Sequence, residues 1–290
     1  MTSHDVVGIL RRQLGERRVG HAGTLDPDAT GVLVAAVGRA TRLMRFVVGA
    51  DKEYTGTIVL GTSTSTLDSS GEVTGTFLMS HVTLSDVRGA TAELVGHTLQ
   101  IPPMVSAIKV DGRRLYELAR AGEDVDRAPR PIEVLRFEVE GTGEPNVFGF
   151  VVECSSGTYV RSLVADLGTA LGGGAHLKGL RRTRVGAFDL ADALDPRRVG
   201  PDDLRPSIGL LSAPERREVA GEVLEFVLHG RVLDAAVINA VGTGPFVLLD
   251  EVGELVAVYE RHGDSSVKPI LVYAAAPSGG ASAEPTPAGE

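Results

Sequence analysis

The apolar residues of this chain change period repeatedly and never settle into a regular strand–helix–strand repeat, which points to an α+β domain. Val6, Val7, Ile9, Leu10 and Leu14 repeat at helical spacing, with Ser3 placed to cap the helix and Gly15 to end it. A short helix is expected over 41–48 and a strand over 52–60, closed by Gly61. The Ser/Thr/Asp/Gly-rich stretch 62–72 reads as loop. Thr83 and Asp86 form a capping-box pattern that opens a helix reaching about Val95. Further on, 105–110, 132–140, 148–154 and 177–190 read as strands, and 113–121 and 159–171 as helices. Hairpin-like strand pairs interspersed with helices predict an α+β domain on a mixed, largely antiparallel sheet.

At 290 residues the chain exceeds one ordinary domain of roughly 100–200 residues. Pro196, Pro201, Pro206 and Pro214 punctuate the place where a linker is expected. The expected division is 1–211 for the larger domain and 216–275 for a smaller one. In the latter, short strand patterns at 246–249, 255–259 and 270–273 suit a compact β-barrel. The tail Pro277–Glu290 is rich in Pro, Gly, Ser and Ala and reads as disordered.

The single cysteine, Cys154, forms no intramolecular disulfide and, with seven scattered histidines, makes no Cys-based zinc site. No apolar run approaches the ~20 residues of a membrane helix, so a cytoplasmic protein without membrane or metal is expected. The net charge of −9 argues at first against a polyanionic partner. Its distribution weakens that objection, because residues 1–120 carry 13 basic and 12 acidic side chains while residues 211–290 carry 5 and 12.

Two places concentrate chemistry. The stretch Gly20-His21-Ala22-Gly23-Thr24-Leu25-Asp26-Pro27-Asp28-Ala29-Thr30-Gly31 sets a His and an Asp within one glycine-bounded loop. On spacing alone Asp26 could serve as a nucleophile, a base or a metal ligand, while an Asp-Pro turn whose carboxylate only bonds local backbone is the commoner reading. The block Cys154-Ser155-Ser156-Gly157-Thr158-Tyr159-Val160-Arg161 puts an arginine in the first turn of a helix, where the macrodipole disfavours a cation. A carboxylate partner such as Asp26 would explain it, as would chance placement of a surface arginine.

Those two blocks, together with Tyr54–Gly71 (Leu60-Gly61, Thr64, Thr66, Asp68), Pro103–Tyr116 and Leu180-Arg181-Arg182-Thr183-Arg184-Val185-Gly186, are collinear with the bacterial tRNA pseudouridine synthase B (TruB) family, which the chain resembles over about residues 2–190. The resemblance implies a pseudouridine synthase fold with a small C-terminal PUA-like RNA-binding barrel. It implies an isomerase, an intramolecular transferase, that acts on the T-loop uridine at tRNA position 55. The base is flipped out, C1′–N1 is cleaved, and C1′ is rejoined to C5 with no cofactor.

On that resemblance Asp26 is the catalytic carboxylate, as nucleophile at C1′ or base at the 2′ position, and Arg161 pairs with it. Tyr54 would stack on the flipped base, His21 occupy the space it vacates, Tyr159 hydrogen-bond in the pocket and Leu180 wall the uracil. Gln100–Ala107 with Lys109, Arg113 and Arg114 would pack beside the site, and Arg181, Arg182 and Arg184 would face phosphates. The partner implied is the tRNA T-arm, bound by a monomer. Departures from the family pattern are the missing strand ahead of Thr2-Ser3-His4-Asp5 and the charge at Asp28. Two other classes compete: a tRNA-binding and refolding protein, and a carbohydrate hydrolase using Asp26 with Asp68. An aromatic share of 4 % without Trp is poor for stacking on sugars.

Overall fold

The computed structural model describes residues 1–106, 108–110, 112–123, 125–211 and 215–274. The expected tail Pro277–Glu290 and Pro214 lie outside them. The chain divides into one compact unit of residues 1–35 and 45–203 and a second of residues 36–44 and 204–290.

The first unit is α+β. Its main sheet has seven strands, β1 (Thr30–Gly31), β2 (Lys52–Leu60), β3 (Gly96–Gln100), β4 (Arg130–Gly141), β5 (Val147–Cys154), β6 (Ala175–Val185) and β7 (Phe188–Asp189). They run in the order β7–β6–β2–β5–β4–β3, with β1 parallel to β6 and every other pairing antiparallel. Pleat alternation sends Ile58, Val134, Val152 and Leu177 to one face. There they pack against Val87 of helix α2 (Leu84–Glu93) and Leu163, Val164 and Leu167 of helix α3 (Val160–Ala170). At the centre Gly56 lies opposite Phe150 and Leu180. A Cβ at residue 56 would come within 2.6 Å of the Gly179 carbonyl oxygen and 2.7 Å of the Phe150 ring, so only glycine allows these strands to close.

Helix α1 spans Ser3–Leu14, but Thr2 is its cap rather than Ser3: the Thr2 hydroxyl accepts from Asp5 N at 3.1 Å and Asp5 Oδ2 accepts from Thr2 N at 2.7 Å. This frees the buried Ser3 hydroxyl to accept a hydrogen bond from Leu25 N, 2.9 Å away, which ties the helix to the loop carrying Asp26.

Several elements differ from expectation in extent. The stretch 62–72 contains half of a small hairpin, Thr62–Thr64 against Val73–Thr76, whose Ser/Thr/Gly composition hides its pairing. The strand expected to run to Leu190 stops at Val185, because Gly186 takes φ +54° and turns the chain back into β7. Only Lys109–Val110 of the strand expected over 105–110 forms, paired with Arg113–Arg114. The helix expected over 113–121 is Leu115–Arg120.

The second unit carries five strands, β8 (Glu215–Glu218), β9 (Leu233–Asp234), β10 (Phe246–Leu249), β11 (Leu255–His262) and β12 (Ser266–Val272), in the order β8–β10–β11–β12–β9. Helix α4 (Gly221–Leu228), which the sequence reading did not anticipate, packs Val227 into the same core as Phe246, Leu248 and Tyr259.

Candidate active site

Asp26 sits in the loop between Ala22 and Thr30, in a turn closed by a hydrogen bond from Ala29 N to Asp26 O at 3.0 Å. The loop returns to the sheet through Gly31, where φ is +105° and a Cβ would lie 2.1 Å from the Arg182 carbonyl oxygen. Glycine is therefore obligatory at the point where the Asp26 loop meets β6.

From the opposite side comes Arg161, the second residue of α3. No side chain caps this helix at Tyr159. The buried Gln100 side chain instead accepts from Tyr159 N at 2.8 Å and donates to Tyr159 O at 3.1 Å, which fixes the helix start. Arg161 is almost fully buried and commits four of its five guanidinium N–H groups. Nε and Nη2 fork onto the two oxygens of Asp26 at 2.8 and 3.1 Å, Nη1 donates to Thr66 O at 3.0 Å, and Nη2 donates also to Val105 O at 3.0 Å. The fork fixes position and plane of the carboxylate, as a planar guanidinium can and an ammonium cannot. The Asp26 side chain stays 41 % exposed, so one edge is gripped by protein and the other is open.

A second carboxylate stands on the same arginine. Asp68 Oδ2 lies 3.7 Å from Arg161 Nε. Its Oδ1 accepts from the Thr66 hydroxyl at 2.6 Å, the Ser70 hydroxyl at 2.5 Å and Ser70 N at 3.0 Å. Burial works to raise the Asp68 carboxyl, and these hydrogen bonds, with Arg161 nearby, hold it below its ordinary value. Its loop is fastened to β6 through Ser69 N to Leu177 O and Leu177 N to Leu67 O, both 3.0 Å.

Tyr54 and Arg182 are direct partners across β2 and β6, with Leu180 one step away on the same face opposite Gly56. Burial pushes the Tyr54 phenol up to about 12, so it is neutral at any physiological pH. Leu180 is half-buried against the sheet core. The half-buried His21 has its pKa lowered by burial first and by the charges of Arg182 and His4 next, and the ring nitrogen Nδ1 has no hydrogen-bond partner among the described residues. Tyr159 is half-buried and held through its backbone.

The structure thus joins Asp26 to Arg161 directly and sets Tyr54 and Leu180 on one sheet face. Among the described residues it makes no hydrogen bond between Asp26 and His21 or Tyr159. The sequence offers Asp68 only as part of a Thr/Asp motif and as a hydrolase carboxylate, and nothing local ties it to Arg161. The expectation that Arg182 and Arg184 face phosphates fails: Arg182 is 1 % exposed and Arg184 pairs with Glu153, leaving only Arg181 of the three exposed. Among the described residues no group of three His, Cys, Asp or Glu is placed to hold a metal ion, and no helix is long and apolar enough to cross a membrane.

The same fold occurs in a crystal structure of a Cbf5–Nop10–Gar1 complex, with a TM-score of 0.70 and 25 % identity over 95 % of this chain and 82 % of the other. It occurs again in the archaeal box H/ACA sRNP Nop10–Cbf5 complex, with a TM-score of 0.66 and 24 % identity over 95 % and 83 %. The loop, sheet face and helix start described above fall within the class of pseudouridylate synthases, since the model of the TruB family pseudouridylate synthase N-terminal domain matches residues 11–160. The tRNA pseudouridylate synthase B C-terminal domain model continues over residues 161–199. Proteins named tRNA pseudouridine synthase B from Arthrobacter sp. (strain FB24) and Nocardia farcinica are 44 % and 45 % identical to the chain. Both alignments cover 94 % of it, and respectively 93 % and 89 % of the relative. The chain belongs to the TruB family of pseudouridylate synthases.

Proposed function

We propose that the chain isomerises the uridine at position 55 of the tRNA T loop to pseudouridine, with Asp26 as the catalytic carboxylate. The observation that carries this reading is the two-point fork of the buried Arg161 on an Asp26 carboxylate whose other edge is open. A folded T loop keeps its uridine out of reach, so the base is flipped into the site. The neutral Tyr54 ring offers a stacking surface, Leu180 an apolar wall and Tyr159 a pocket hydrogen bond, while His21 fills the vacated place in the RNA.

Asp26 either attacks C1′ and displaces N1, or removes the 2′ proton to release the base as a glycal is formed. The uracil turns and C5 bonds to C1′ as the Asp26 ester bond breaks in the first route, or as Asp26 returns the proton to C2′ in the second; the C5 proton is then lost as N1 gains one. Atoms and electrons balance within the substrate, so the reaction calls for no cofactor. Arg161 serves by holding the carboxylate plane through both routes.

The rest of the reading is a cytoplasmic monomer in which 1–211 is catalytic and 216–275 is a PUA-like barrel gripping the T-arm region. The exposed Arg216 and Arg231 on the second unit support it.

Asp26→Asn is expected to lower pseudouridine formation on an unmodified tRNA transcript by about 10³-fold or more with tRNA affinity unchanged. The assay is pseudouridine mapping at single-nucleotide resolution. A variant that keeps a tenth of the rate, or modification at a different nucleotide, would sink the reading.

A further inference from the structure

Arg182 is the largest fully buried side chain among the described residues, 1 % exposed, and no carboxylate among them lies within ion-pair distance of it. Burying a guanidinium is costly unless its donors are satisfied. Backbone carbonyls take two of its five N–H groups here, Nε donating to Val32 O at 2.8 Å and Nη2 to Gly23 O at 3.0 Å, and the guanidinium also hydrogen-bonds with the Tyr54 side chain. Gly23 and Val32 are the two ends of the segment that carries Asp26. The main chain of the same residue completes the hold, with Val32 N donating to Arg182 O at 2.9 Å and Thr30–Gly31 running parallel to Arg181–Arg182.

One side chain therefore staples both ends of the Asp26 loop to the strand that faces Tyr54. An apolar residue of similar volume would fill the space without the desolvation cost, and a lysine has no rigid fork to span two fixed carbonyls. What the guanidinium adds is a fixed distance between Gly23 and Val32, and hence a fixed height for the carboxylate between them. Arg161 sets the plane of Asp26 from the helix side, and Arg182 sets the loop's position from the sheet side.

We propose that Arg182 is a positioning residue for the reaction, acting through the ends of the Asp26 loop rather than through contact with RNA. The proposal rests on the reading of Asp26 as the reacting carboxylate.

The test compares full-length Arg182→Lys, Arg182→Met and Asp26→Asn in single-turnover pseudouridine formation at saturating tRNA. Filter-binding affinity for the same tRNA and thermal melting are measured alongside, with rates read well below each midpoint. Arg182→Lys, which keeps the charge and loses the fork, is expected to slow the single-turnover rate by about 10- to 100-fold. Its Kd should stay within about twofold and its melting should stay cooperative; Arg182→Met should be slower still at the same affinity.

A rate within about twofold of wild type in folded Arg182→Lys overturns the proposal. So does a rate loss matched by an equal loss of affinity, which would make Arg182 a binding residue. Failure of both variants to melt cooperatively also overturns it, because Arg182 would then be needed for folding alone. If Asp26→Asn remains active, the reading of the site itself fails. If Asp26→Asn is dead while Arg182→Lys matches wild type, only the assignment of Arg182 fails.

Discussion

In the unit of residues 1–35 and 45–203, nine polar or charged side chains are buried among the described residues, Lys52, Gln100, Arg161 and Arg182 with them. In the unit of residues 36–44 and 204–274 there are none, and the interior is Phe246, Val247, Leu248, Val256, Ala257, Val258 and Tyr259, each 0–2 % exposed. Even there the one polar handle, the Tyr259 hydroxyl, donates to Arg231 O at 2.9 Å. An apolar interior is stabilised by area and packing and tolerates repacking. A polar interior is specified by direction, since each buried donor must meet an acceptor. The difference teaches where the molecule spends stability on geometry: around the Asp26 loop.

The sharpest way to break the contrast is to cut the apolar core. Phe246→Ala should cost about 3–5 kcal/mol in the unfolding of the second unit, read by urea denaturation with the first unit's transition unmoved. The same variant should weaken tRNA binding while the single-turnover rate at saturating tRNA is retained. Unchanged affinity in a variant whose second unit has melted would remove that unit from the RNA-gripping role.

A smaller effect is expected from the polar interior. Asp68→Asn loses acceptor strength toward Thr66 and Ser70 and a charge beside Arg161, which should cost about 1–3 kcal/mol at neutral pH. The sign with pH follows from its lowered pKa: the stabilisation is complete above the ordinary value of 3.8 and is lost as pH falls through the lower folded value. Melting curves of wild type and Asp68→Asn should therefore converge in acid, and a gap that widened instead would contradict the hydrogen-bonding account.

The smallest effect belongs to the surface. Lys268 and Glu260 lie 3.4 Å apart with side chains 44 % and 46 % exposed, and Glu260→Gln should shift stability by less than about 0.5 kcal/mol. A loss of several kcal/mol there would mean that the second unit also depends on directed polar contacts.

Much of the local structure was legible because it is local. The Thr83/Asp86 capping box, the period of α1 and the alternation of β2 and β5 each depend on residues within a few positions of one another. The hairpin Thr62–Thr64 with Val73–Thr76 was hidden by composition: its small polar residues pair through backbone rather than through an apolar face. At the site, Asp26 and Arg161 stand 135 positions apart; the helix dipole at Arg161 makes Asp26 one available partner, and the family resemblance alone selects it over chance placement.

The residues themselves determined where the chain must turn and which stretches are helix or strand, because glycine, proline and hydrophobic period act over short distances. They also placed an arginine where the helix dipole opposes it. Tertiary structure alone decided what each arginine does. Arg181, Arg182 and Arg184 are near neighbours in sequence, but the pleat turns Arg182 inward and leaves Arg181 outside, and an irregularity between Arg182 and Arg184 sets Arg184 opposite Glu53, against Glu153. Three similar side chains acquire a loop staple, a solvent-facing charge and a cross-strand ion pair because strand register assigns each to a face.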